Sequence, residues 1–108
     1  MDLKRLLGTK RPAAARLATA IAEAEAEYRA AAAEVERLTG EHRRALAEGD
    51  DAAVDRVEAE LVSAGRWCDR ADAARGELRR RLREAVEAER EAAAERLTSA
   101  HVEDGERR

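Results

Sequence analysis

Aromatic residues are almost missing from this chain. Tyr28 and Trp67 are the only two in 108 residues, and there is no phenylalanine. So few large rings exclude the aromatic-rich core that many globular domains build. A single proline, Pro12, leaves the rest of the chain without the residue that most strongly breaks helices. A single cysteine, Cys68, excludes an internal disulfide and fits a reducing compartment. No apolar run approaches the length of a membrane span, and the first residues lack the apolar core of a signal peptide. The cytoplasm, or the inside of a particle assembled there, is the expected location. The formal net charge is −3, so general attraction to nucleic acid is not implied.

Catalytic signatures are missing as well. There is no glycine-rich phosphate loop, no zinc-ligand spacing and no nucleophile motif. The di-iron carboxylate bundles need Glu-x-x-His, which does not occur here. No catalytic residue, cofactor, metal or small-molecule substrate is expected.

What the chain does have is charge, 42% of its residues, together with abundant alanine, arginine, glutamate and leucine. This is the composition of long helices and coiled coils. The stretch Glu48-Gly49-Asp50-Asp51 punctuates it. A glycine just past a helix adopts the left-handed conformation without a Cβ clash. An aspartate directly after it suits the N-cap of a second helix. So short a link makes the two helices antiparallel neighbours. The reading is therefore all-α, an antiparallel two-helix hairpin. It comprises a short N-terminal helical turn over 1–11, helices over 12–48 and 51–98 joined at 49–50, and a flexible tail over 99–108.

Apolar and small residues recur at alternating spacings of three and four, a sustained heptad. In the first arm the stripe runs through Leu17, Ile21, Ala24, Tyr28, Ala31, Val35, Leu38, His42 and Ala45. In the second it runs through Val54, Val57, Leu61, Ala64, Cys68, Ala71, Arg75, Leu78 and Leu82, and then slips toward Val86. Folding about Gly49 sets Leu46 against Val54, Leu38 against Leu61, Ala31 against Cys68 and Ile21 against Leu78. Charges agree with this register: Glu23, Glu25 and Glu27 fall opposite Arg75 and Arg79, and Arg37, Arg43 and Arg44 opposite Asp55, Glu58 and Glu60. Beyond about residue 87 the second arm overhangs the first and is acidic. The N-terminal segment is basic, and its Leu3, Leu6 and Leu7 are expected to cover Val86, Ala93 and Leu97. Two helices bury only one stripe each, so association into a larger helical bundle is expected.

Five residues stand out as candidate partner-binding groups: Trp67, Tyr28, Arg79, Arg80 and Arg83. Trp67 lies one step off the stripe; it either fills a gap beside small alanines or anchors a partner, and the two readings weigh about equally. Tyr28 is placed near it by the register. Arg79-Arg80-Arg81 with Arg83 is the sharpest basic cluster. Successive residues spread around a helix, so pairing with Glu23–Glu27 outweighs phosphate capture. Cys68 and His42 cannot form a dyad, because the register separates them by eleven helical residues, roughly 16 Å. Hairpins among type VII secretion substrates carry Trp-x-Gly between their helices. Here the turn is Glu48-Gly49-Asp50 and Trp67-Cys68-Asp69 sits inside the second arm, so that family is not assigned.

The function expected on these grounds is a noncatalytic coiled-coil module for protein–protein interaction or assembly: a scaffold, structural or accessory subunit, as in a virion or other multiprotein particle. Its partner would be another protein, further copies of itself, or both. A second expectation is a small acidic regulator that docks on a nucleic-acid-binding protein. A third, weaker one is direct nucleic-acid binding through Arg79–Arg83.

Overall fold

The computed structural model describes residues 13–106, with side chains through Ala100. Two helices account for it: α1, Ala13–Glu48, and α2, Asp51–Glu106. They pack side by side as an antiparallel hairpin. Among the described residues there is no strand, and no helix is long and apolar enough to cross a membrane. The hairpin is a slab 88 × 31 × 13 Å. Its thinnest dimension is about the diameter of one helix with its side chains. It is therefore a single layer with two open faces.

The tip forms as the residue types dictate. Gly49 has φ +70°, the left-handed region. Its N–H bonds the Leu46 carbonyl at 3.2 Å, while the Asp50 N–H reaches back to the Ala45 carbonyl at 3.1 Å. These are the two bonds of a Schellman ending. Asp50 then opens α2. Its carboxylate accepts from the Ala53 N–H at 3.1 Å, and its carbonyl accepts the first helical bond, from Val54, at 3.0 Å. One residue thus ends one helix and caps the next. An N-cap of this kind contributes about 1 kcal/mol.

The covered core is narrow. Ala24, Ala31, Leu38 and Ala45 of α1 meet Val57, Ala64 and Ala71 of α2. Leu38 and Val57 are the only large side chains among them, and Val35 and Leu61 pack on their cluster from the side. Along each helix the covered residues recur at every seventh position, so alanine fills most of one seam layer. The alternate layer, with Tyr28, Val35, His42, Val54, Leu61, Cys68 and Arg75, is half-buried. Small residues at a helix contact permit close interaxial distances. Close approach explains how a chain this poor in large side chains still forms a continuous seam.

Three details differ from the sequence reading or lie beyond it. Leu46, expected against Val54, is 56% exposed; Ala45, the next member of the heptad stripe after Leu38, holds the seam position beside the tip. Helix α2 continues past the expected end at Thr98 to Glu106. Residues 98–104 contain neither glycine nor proline, and an established helix propagates cheaply. The proposed cover of the overhang by Leu3, Leu6 and Leu7 lies outside the described residues. Ala85, which continues the heptad, and Val86, toward which it is expected to slip, are both half-buried.

Candidate docking site beside Trp67

Heptad geometry gives the hairpin two flanks. One flank carries Glu25 and Ala32 of α1 beside Gly65, Asp72 and Arg79 of α2. The other carries Glu27, Glu34 and Glu41 beside Glu60 and Trp67. The seam alanines hold both flanks close enough for side chains to bridge them.

On the first flank a cross-seam cluster forms. Arg75 sits on the stripe, half-buried, with its guanidinium carbon 3.6 Å from the centroid of the Tyr28 ring. This is a stacked cation–π contact. The same guanidinium donates to Glu25 at 3.2 Å and to Asp72 at 2.8 Å. Arg79 also pairs with Glu25. The Glu25 and Arg75 side chains are 21% and 23% exposed, so this is the least solvent-screened ion pair of the described residues. The expected opposition of Glu23–Glu27 to Arg75 and Arg79 is therefore realised through Glu25.

The second flank holds Trp67. Its ring is half-buried, and its indole N–H donates to Glu27 across the seam at 3.0 Å. Next to it lies a groove of about 570 Å³, floored by Leu38 and Ala64 and walled by Glu34, Arg37, Ala59, Glu60, Ser63 and Trp67. Arg37 forms one wall. It donates to Glu34 at 2.5 and 3.1 Å and to Glu41 at 2.6 Å. The hydrogen bonds from Arg37 lower the Glu34 pKa, and Glu34 in turn raises that of Arg37. Glu60, across the seam, adds a longer-range attraction to Arg37. The groove thus has an apolar floor, a charged rim of both signs and one indole edge.

The remaining candidates separate. Arg80 bonds Glu77 at 2.5 and 3.0 Å and Glu84 at 2.5 Å, and Arg81 bonds Glu77 at 3.2 Å. Arg83 is exposed and borders a shallow hollow with Leu82, Val86, Glu87 and Arg90. The structure therefore does not gather Trp67, Tyr28 and the arginines into one site. Trp67 belongs to one flank, Tyr28 to the seam under Arg75, and Arg80 to the outer face. The Tyr28–Arg75 stack and the Trp67–Glu27 bond were not foreseen, although the register places each pair within about one helical turn.

Hydrogen bonds from Arg80, with help from Arg81, lower the Glu77 pKa from 4.5 to about 2. A depressed carboxylate contributes stability above its unfolded value and loses it as pH falls through the folded one. The Glu77 contribution is therefore complete above about pH 4.5 and disappears toward pH 2. Glu77 is exposed, which keeps the effect small. Thermal melts of wild type and Glu77→Gln should differ at pH 7 and converge near pH 2. A gap that stays constant to pH 2 contradicts the assignment.

Neither a family model, nor a curated protein, nor a solved structure matches this chain.

Proposed function

We propose that this hairpin is a noncatalytic interaction module that works by protein–protein association, as an assembly or accessory element. The observation that carries the proposal is the groove beside Trp67, cut into a single-layer hairpin whose covered core is mostly alanine. Tryptophan is the residue type most enriched at binding hot spots, and an apolar floor with a charged rim is the anatomy of a protein interface. The pairing of Arg79, Arg80 and Arg81 with carboxylates supports internal roles for that cluster over phosphate capture. A cytoplasmic setting belongs to the same proposal and is supported by the lone free thiol, Cys68.

The test is absolute mass by light scattering behind a sizing column, for wild type and Trp67→Ala, at low and high salt. The expected result is a wild-type assembly that is weakened by high salt, which screens its rim charges, but not abolished, because burial of Trp67 is not screened, and that is lost or weakened at least tenfold in the mutant. If wild type and mutant are both folded monomers, self-association is wrong and only docking on a foreign protein remains.

A further inference from the structure

We infer that the Trp67 flank docks a second copy of this chain about a two-fold axis, closing two hairpins into an antiparallel four-helix bundle; this rests on the association reading above and specifies its partner. On α2, outside the seam, a second stripe runs through Arg56, Glu60, Ser63, Trp67, Arg70 and Ala74. Its spacings alternate four and three, so its members share one face of the helix. All but Trp67 are exposed, and Trp67 is half-buried.

An antiparallel two-fold pairing of this stripe has a register centred beside Gly65. There Trp67 of each copy lies over Ser63 of the other, a small residue that accommodates an indole. Glu60 of each copy faces Arg70 of the other. The first helix gives an independent check. On the same flank of α1, Glu34 faces Arg37 of the second copy, and Glu27 faces Arg44, when the axis passes between positions 35 and 36. The hairpin's own register, with Leu38 and Val35 packed with Val57, Leu61 and Ala64, sets position 35 about level with position 64. Two stripes on two helices therefore choose axes within about two residues, roughly 3 Å, of each other, and each contributes opposite charges across it. On the other flank Arg79 is already engaged with Glu25 across the seam, and the register centred between Val62 and Gly65 sets Glu58 against Asp69 and Asp55 against Asp72, like charges that disfavour that pairing.

Charge reversal decides the matter. Glu60→Arg alone and Arg70→Glu alone each place like charges opposite at two symmetric points. Sedimentation equilibrium should show the dimer weakened roughly tenfold or more for each. An equimolar mixture of the two variants should recover a heterodimer, because each then supplies the sign the other needs. Glu60 and Arg70 are about 15 Å apart along one helix, so no bond within a chain can explain recovery. Trp67, the sole tryptophan, reports in parallel: its emission should shift to the blue with concentration in wild type and in the mixture, but not in either variant alone. Circular dichroism confirms that both variants keep their helices. A wild-type dimer indifferent to both reversals overturns this face while leaving self-association standing. Variants that weaken and are not recovered by mixing overturn the two-fold register. A monomer at all concentrations overturns this inference and self-association together.

Discussion

Leu38→Ala is expected to destabilise the hairpin by about 2–5 kcal/mol, the range for removing a fully buried leucine. Leu38 is 1% exposed and touches Val57 and Ala64, with Val35 and Leu61 packed from the side. The usual scatter at such sites reflects how well neighbours can collapse into the space. Here collapse is restricted. The flanking covered positions are Ala31 and Ala45, and alanine has no rotamer with which to fill a void. The loss should therefore fall in the upper half of the range. For a domain of this size it corresponds to a fall in Tm of roughly 10 °C or more. Leu46→Ala is the matched control: eight residues nearer the tip and 56% exposed, it should cost well under about 1 kcal/mol. Equal losses in the two variants would contradict the register at the tip.

The contrast between those two leucines shows what the sequence disclosed and where it stopped. The hairpin, its tip at Gly49 and the heptad stripe were all legible, because each follows from local chemistry: an absence of helix breakers, one glycine–aspartate junction, and a period of three and four. The cross-seam pairing of Glu25 with Arg75 was legible for the same reason, since register follows from turn length. Leu46 is set against Val54 by counting outward from Gly49, but it lies one step off the heptad stripe that runs unbroken through Leu38 and Ala45. The continuation of α2 to Glu106 is not marked by any apolar stripe, although nothing between Thr98 and Asp104 stops a helix. The groove was invisible because it is a difference in height. It exists where Ala59 and Ser63 are small, where Trp67 is large, and where the alanine seam brings Leu38 and Ala64 near the surface of the flank. Periodicity places those residues on one side but gives no relief.

Ala31→Leu tests the close seam directly, and from the opposite sense to Leu38→Ala. Ala31 is 0% exposed and lies at the middle of the alanine layer between Ala24 and Leu38. Leucine is nearly as good a helix former as alanine, so any effect must come from packing. Inserting its branched end at a fully covered position should cost about 1–3 kcal/mol, despite adding apolar surface. Ala33→Leu, on the exposed outer face of the same helix turn, should be close to neutral. Thermal melts of the pair measure the difference. A second readout follows from position. The Trp67–Glu27 hydrogen bond spans the seam about one turn from Ala31. Forcing the helices apart there should stretch it, expose the indole and red-shift the Trp67 emission, whereas Ala33→Leu should leave the spectrum unchanged. If Ala31→Leu proves neutral or stabilising with no spectral change, the seam has room to spare. The groove floor would then be set by something other than alanine packing. If it behaves as expected, one layer of small side chains accounts for both the stability of the hairpin and the depth of the groove in which a second copy is proposed to dock.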